Sequence, residues 1–410
     1  MLDRISSIAS RKNLFLLAAI MASIVVKLSL ASLGHNWDVG SWYVVSDKVL
    51  QGKSVYASTF RYNYGPIWAA ILGYLRELGK WLDFDSGEGF HILIAGFLAC
   101  IDGLISIALS IAYSYEAALV FLLIPVGWLT SGYHSQFDNV AVFVGLLAWL
   151  LVRPAKTTRS RLIFSAVLMG LSLAVKHLAI FFPIWLLFRK EWVSIRLRIL
   201  YAVIAYSVFL GTFLPWLGDP ASRAGILGNV FRYNGNYGFS LTGLLVSLLF
   251  TSVSSFDRFF AWVPIIPAFK ALWAAMMVGF GVLVARRQRS SPPWNDMFLC
   301  YLIALYAMSP SIADQYTAIP LVACAVFYMF LPSWAFWVTA TAALLTSDTN
   351  ILSAINQTRG LLVGSQVRWR VLALSQLCIL FIFLTRRIAK TSPTLERGEM
   401  AKRPEYSPFP

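Results

Sequence analysis

Apolar stretches recur along the whole chain, at 14–33, 66–80, 90–112, 116–130, 139–152, 162–175, 177–188, 198–217, 241–251, 266–284, 297–309, 316–331, 333–346 and 369–385. A helix that crosses a bilayer needs about 20 predominantly apolar residues, and this spacing therefore predicts an all-α, polytopic membrane protein with about 12 transmembrane helices and short helices in its outer loops. Several runs are shorter than a full span. Runs 90–112 and 116–130 are read together as one broken segment that crosses once, and 241–251 as a re-entrant half-helix in the outer leaflet. Irregular backbone at membrane depth is tolerated only where it lines protein or a water-filled cavity, so function is expected at such places.

Composition and charge sharpen this picture. The chain of 410 residues is 58% apolar and 13% charged, whereas roughly a quarter of a soluble domain is charged; a soluble enzyme is excluded. A net charge of +15 would point to nucleic acid in a soluble protein. Here, however, 19 of the 34 cations fall in five clusters between or beyond the apolar runs: Arg4/Arg11/Lys12, Arg153/Lys156/Arg159/Arg161, Arg189/Lys190/Arg196, Arg286/Arg287/Arg289 and the tail from Arg386 to Arg403. The positive-inside rule places these clusters, and both termini with them, in the cytoplasm. The outer segments are then 34–65, 131–138, the turn at Lys176/His177, 218–265, 310–315 and 347–368. Residues 1–390 read as one transmembrane domain, and 391–410, with four prolines and mixed charge, as a disordered cytoplasmic tail. Cys100, Cys300, Cys324 and Cys378 lie inside apolar runs without a CxxC pair, which indicates neither a disulfide framework nor a metal site.

The first outer loop opens His35-Asn36-Trp37-Asp38-Val39-Gly40-Ser41-Trp42-Tyr43, placing a carboxylate at the membrane surface among aromatic rings. If 38–50 is helical, Trp42 shares the face of Asp38, while Asp47, nine residues on, points away at about 100° per residue. A site built on both carboxylates is disfavoured. Asp38 is then either a reacting group or the N-cap of a juxtamembrane helix, with Trp37, Trp42 and Tyr43 as an interfacial belt. His134, Gln136 and Asp138 recur every second residue: a strand aligns all three, a helix only His134 with Asp138. They form a polar cluster, read as sugar- or acceptor-binding or as a structural hydrogen-bond network. Lys27 and Asp102, each deep in an apolar run, are expected to neutralise one another or to reach water, and are read as an architectural pair. Lys176-His177 interrupts an apolar hairpin, a costly place for charge unless it faces a cavity, with snorkelling to the surface as the alternative. Asn356-Gln357-Thr358 matches a glycosylation sequon, a pattern frequent by chance.

Several of these stretches share one resemblance. Trp37-Asp38, Gly52-Lys53-Ser54-Val55-Tyr56 and Tyr62-Asn63-Tyr64-Gly65-Pro66-Ile67-Trp68 resemble the opening of membrane-embedded GT-C glycosyltransferases, especially polyprenyl-phosphate-dependent mannosyltransferases. Gly132-Tyr133-His134-Ser135-Gln136-Phe137-Asp138, the stretch from Gly170 to Lys176 leading to Pro183, and Tyr233-Asn234-Gly235-Asn236-Tyr237-Gly238 extend the likeness over roughly 1–240. It implies a GT-C-like fold and transfer of a sugar, mannose or another hexose, to a lipid or glycan acceptor. It also implies that Asp38 is the acidic residue of the first outer loop, acting as general base. Relatives often carry paired acids there, whereas Asp38 stands between Trp37 and Val39; no divalent metal or other cofactor is indicated.

The chemistry follows from location. No nucleotide-sugar pool exists outside the cytoplasmic membrane, so a transferase there needs a sugar already carried across on a polyprenyl phosphate. A single inverting displacement requires a base on the acceptor side and cations on the departing phosphate. The base supplies about 10² to 10⁴ in rate, and preorganised cations often more. Arg61, Lys176, His177, Arg232, Arg368 and Arg370 are the expected phosphate-binding residues, and Trp37, Trp42, Tyr233, Asn234, Asn236 and Tyr237 the expected sugar- or acceptor-binding ones alongside His134, Gln136 and Asp138. Arg359, Arg368 and Arg370 flank the last run against the positive-inside trend. Two other classes fit a basic polytopic chain. A lipid or solute transporter would show two related halves with helices broken in corresponding positions, and none are visible. An O-antigen-type polymerase or ligase would carry its main outer loop late in the chain, whereas the distinctive loop here follows the first span.

Overall fold

The computed structural model describes residues 11–35, 37–153, 157–189, 192–232, 266–286, 296–309, 316 and 318–327. The expected half-helix at 241–251, the sequon at Asn356, Arg359 and the tail 391–410 lie outside them. Every regular element among the described residues is helical. In order they are α1 (Arg11–Ser32), α2 (Trp37–Leu50), α3 (Val55–Ser58), α4 (Pro66–Trp81), α5 (Gly87–Ala112), α6 (Tyr115–Leu123), α7 (Pro125–Trp128) running into a π turn (Leu129–Tyr133), and α8 (Asp138–Val152). There follow α9 (Arg159–Val175), a 3₁₀ turn (His177–Ala179), α10 (Phe182–Leu187), α11 (Ile195–Gly211), α12 (Pro220–Gly225) with a second π turn (Ile226–Phe231), α13 (Ile266–Arg286), α14 (Met297–Met308) and α15 (Ala318–Phe327).

Three of these are long and apolar enough to cross a membrane alone: α1, α5, and α11 with its following 3₁₀ turn. Two bent pairs pass the same test together: α6 with α7 and its π turn, bent by 59°, and α9 with the 3₁₀ turn and α10, bent by 116°. The causes are local. Pro125 has no amide proton and its ring obstructs the preceding turn, so α6 stops at Leu123. At Lys176 the backbone is extended (φ −152°, ψ 127°), ending α9, and Pro183 restarts a helix in the first turn of α10.

Contacts between helix ends divide the bundle into two poles. At one pole, here the head, His91 Nε2 near the start of α5 donates to the Gly132 carbonyl (3.1 Å). Lys176 after α9 meets Asp138 at the start of α8 at the same pole. At the opposite pole Arg153 Nη1 donates to the Ala112 carbonyl at 3.0 Å, and Arg189 Nη2 to the Arg153 carbonyl at 3.4 Å. Thus α5 runs away from the head and α6–α7 returns to it. The apolar stretch at 90–130 consists of two antiparallel passes, not the single broken crossing expected from its sequence.

The compensating correction lies in 66–80. Helix α4 begins where Gly65 abuts Ala174, at the head. It ends where Gly79 abuts Phe84 and Leu93, one short loop before α5 sets out from the same pole. Both ends being at the head, α4 lies across it and crosses nothing. Its charged residues explain why: Arg76 is buried against Tyr43, its guanidinium 4.2 Å from the ring centre, and 3.6 Å from Asp47 on α2, leaving it no apolar environment to span. The head therefore extends over 34–86 rather than 34–65.

Close helix approach holds the passes together. A Cβ at Gly170 on α9 would lie 2.6 Å from the Ala205 carbonyl on α11. Ser165 and Ser172 donate to the Ala148 and Ala141 carbonyls of α8 at 2.6 and 2.7 Å. Small residues of this kind bring membrane helices together where lipid offers no hydrophobic driving force between them.

The placement of α4 can be tested directly. Nitroxide labels at Tyr74 and Trp81, both about four-fifths exposed, are expected to report headgroup depth by oxygen and nickel-chelate accessibility in proteoliposomes, while a label at Leu104 on α5 reports the bilayer interior. A midplane depth at either α4 position would restore the crossing.

Candidate active site

The head carries the residues singled out from sequence, and the fold sorts them. Asp38 stands in the first turn of α2 and is half-buried. Its carboxylate accepts a hydrogen bond from the Gln136 side-chain amide, 98 positions away. Gln136 reaches it from an irregular turn: the π turn Leu129–Tyr133 is followed by Ser135 with φ +47°, an uncommon backbone for a residue with a side chain. This geometry is neither strand nor helix, so Gln136 and Asp138 diverge. Gln136 turns to Asp38, while Asp138 starts α8 and points to Lys176. His134 is fully buried, its ring edge-on to Tyr133. The first outer loop and the 131–138 segment thus converge, although neither predicts the other's position.

The Lys176–Asp138 contact is 2.7 Å, with both side chains at most 6% exposed. Three rings surround the ammonium: its nitrogen lies 4.2 Å from the Tyr316 ring centre, 5.0 Å from Phe137 and 5.2 Å from Tyr64. Removing either member of a buried pair strands the other charge in an apolar site, which costs about 3–5 kcal/mol. The snorkelling alternative is therefore overturned: Lys176 points inward. Its charge is matched by Asp138. His177 opens the 3₁₀ turn, and its buried Nδ1 has no hydrogen-bond partner among the described residues.

Around this pair lies an aromatic hub absent from the sequence reading. Phe137 stacks on Trp68 (4.3 Å between centres, 5° between planes) and receives Tyr64 and Trp42 edge-on at 4.9 and 5.4 Å. Each such pair contributes about 0.5–1.5 kcal/mol beyond the area it buries. Trp42, only 1% exposed, is part of this hub. Its expected role as a sugar-facing surface is replaced by packing, which aligns α2 behind Asp38. The Tyr62 hydroxyl donates to the Gly65 carbonyl and accepts from the Ala69 amide at 2.9 Å, tying the loop before α4; burial raises its phenol above the ordinary range, so it stays protonated.

Of the expected cations, Arg61 is half-buried in the loop between α3 and α4. Arg232 is exposed directly after the second π turn. The two segments meet, since the Ser222 hydroxyl of α12, which donates to the Asp219 cap of that helix at 2.6 Å, lies 2.6 Å from the Ser54 hydroxyl. Ser222 hydrogen bonds hold the Asp219 carboxyl below its usual range. The side chain of Trp37 and residues Tyr233, Asn234, Asn236, Tyr237, Arg368 and Arg370 lie outside what is described. Among the described residues no group of three His, Cys, Asp or Glu is placed to hold a metal ion.

Beneath the head, Asp102 in the middle of α5 is buried and accepts from three side chains: Lys27 of α1 at 2.7 Å, Ser131 of the π turn at 2.7 Å and Asn139 of α8 at 2.8 Å. The expected Lys27–Asp102 neutralisation is present. Ser131 and Asn139 were not anticipated. Their only signal is adjacency to the 132–138 motif.

The sequence profile of glycosyltransferase family 87 matches residues 62–310, more than half of the chain. No curated protein matches it. The chain belongs to glycosyltransferase family 87.

Lys176→Met is expected to destabilise the folded protein by about 3–5 kcal/mol, and Lys176→Met with Asp138→Leu by much less, because the double variant leaves no unpaired buried charge. Unfolding in mixed micelles measures both. Equal losses in the single and double variants would mean that the pair is not the stabilising element.

Proposed function

Because the chain is a glycosyltransferase of family 87 with a largely apolar, helical body, we propose that it moves a hexose, mannose being the first choice, from a polyprenyl phosphate to an acceptor hydroxyl of a lipid or glycan. The reaction takes place at the outer face of a bacterial cytoplasmic membrane, with both termini in the cytoplasm. Asp38 is the general base. The carrying observation is the half-buried Asp38 carboxylate held by the Gln136 amide at the pole where the first loop, the 134–138 turn and the Lys176 turn meet.

The mechanism is one inverting displacement. The acceptor hydroxyl oxygen attacks the anomeric carbon as its proton passes to Asp38, the bond from that carbon to the phosphate oxygen breaks, and the electron pair leaves with the polyprenyl phosphate. Gln136 fixes one carboxylate oxygen and so orients the base, which returns the proton it has taken to solvent before the next turnover. On the phosphate side the reading favours Arg61 and Arg232, whose guanidiniums can engage phosphate oxygens with two parallel donors. Lys176, paired with Asp138, holds the turn after α9 against the start of α8. Arg368 and Arg370 remain part of the proposal as further phosphate ligands, and Tyr233, Asn234, Asn236, Tyr237 and Trp37 as sugar or acceptor contacts.

The test supplies membranes with radiolabelled polyprenyl-phosphate sugars. Asp38→Asn is expected to lose transfer by at least about a hundredfold with normal insertion; activity within a fewfold of wild type would reject Asp38 as the base. Arg61→Ala and Arg232→Ala are expected to raise the donor KM, and unchanged donor kinetics in both would move the phosphate site elsewhere.

A further inference from the structure

Asp102 is one of the most expensive residues in the chain to place where it is, a carboxylate only 3% exposed at the middle of a 26-residue apolar helix. If its sole purpose were to neutralise Lys27, one partner would be enough. It has three, and the other two are chosen by position. Ser131 belongs to the π turn that precedes the 134–138 segment, and Asn139 is the residue that follows it. Asn139 is held again by the Leu98 carbonyl at 3.0 Å, one turn earlier on the same helix α5. The turn is also pressed onto α1: a Cβ at Gly132 would lie 2.8 Å from the Lys27 carbonyl and 3.0 Å from its Cα. Asp102 and Lys27 therefore grip both flanks of the short irregular stretch that presents Gln136 to Asp38.

Resting on the reading of Asp38 as the base, we propose that Asp102 is a positioning residue for the transfer reaction, acting through Ser131 and Asn139 to set the place of Gln136 and thereby the orientation of the Asp38 carboxylate. The physical argument concerns rigidity. The turn closes on wide backbone rings, the His134 amide on the Leu129 carbonyl at 3.0 Å and the Gln136 amide on the Thr130 carbonyl at 2.9 Å, with Ser135 at φ +47° between them, and such rare local geometry persists only where its surroundings over-determine it. Charge-assisted bonds to a buried carboxylate are about twice as strong as neutral ones. They select one arrangement. A catalytic group displaced by about 1 Å can lose on the order of a hundredfold in rate, so a fixed frame beneath the turn has a direct kinetic consequence.

The experiment uses the full-length protein in proteoliposomes. Ser131→Ala and Asn139→Ala leave the Lys27–Asp102 pair intact and are the primary variants; Asp102→Asn is the third. Hydrogen exchange is expected to rise in 129–138 while the exchange of α9 and α11 is unchanged. With polyprenyl-phosphate mannose and polyprenyl-phosphate glucose as donors, kcat per folded protein is expected to fall roughly 10- to 100-fold with the donor KM within about twofold. Combination with Gln136→Ala is expected to add little further loss, since both changes act through the same side chain. Unchanged exchange in 129–138, a loss confined to KM, or fully additive losses with Gln136→Ala would each overturn the proposal. Failure of the underlying reading is separate: it is seen as activity retained in Asp38→Asn, whatever the exchange data give.

Discussion

A carboxylate buried in an apolar helical bundle must be met by donors, and the shape of this protein's head follows from how Asp102 is met. Isolated charge at membrane depth is costly enough that such residues are paired or lead to water. Here one carboxylate binds α1 through Lys27, the π turn through Ser131 and α8 through Asn139. Helix α1 and the two flanks of the 132–138 stretch, about a hundred residues apart in sequence, share one anchor on α5. Apolar packing alone is non-directional and would let these helices slide or rotate. The hydrogen bonds fix their register.

A second buried pair closes the head from the other side. Asp138 and Lys176 join the start of α8 to the break after α9, and the rings of Tyr64, Phe137 and Tyr316 enclose the ammonium. Between the two ionic anchors runs the 134–138 stretch, whose Phe137 is stacked between α2 and α4. Each residue of the stretch is thus assigned a different direction. His134 goes inward, Gln136 toward Asp38, Phe137 into the hub and Asp138 toward Lys176. A strand would align His134, Gln136 and Asp138 on one face, and a helix would return Asp138 to the face of His134. The π turn and the positive φ of Ser135 make that divergence available.

This arrangement belongs to a glycosyltransferase of family 87 with a largely apolar, helical body. The groups that would do chemistry lie at one pole of the bundle, carried by a loop and a turn, while the apolar passes beneath supply a rigid support. Helix α4, lying across the head with its buried Arg76 and exposed Tyr74 and Trp81, widens that pole. It adds surface beside the first loop without adding a crossing.

Much of this was legible in the amino-acid sequence. The all-helical, membrane-embedded character follows from the length and spacing of apolar runs, because the hydrocarbon thickness sets one scale for every span. The separation of Asp38 from Asp47 and the pairing of Lys27 with Asp102 were likewise readable, the first from helical period and the second from the cost of unpaired charge. What the sequence could not determine is which runs cross. Residues 66–80 and 116–130 are both apolar stretches of similar length, and only tertiary contacts show that the first lies across the head and the second returns through the bundle. Nor could it decide the partners of Gln136, Asp138 and Lys176. Hydropathy and periodicity are properties of neighbouring residues along the chain, whereas the direction of a side chain leaving an irregular turn is set by what packs around it, and here that is supplied by residues tens of positions away.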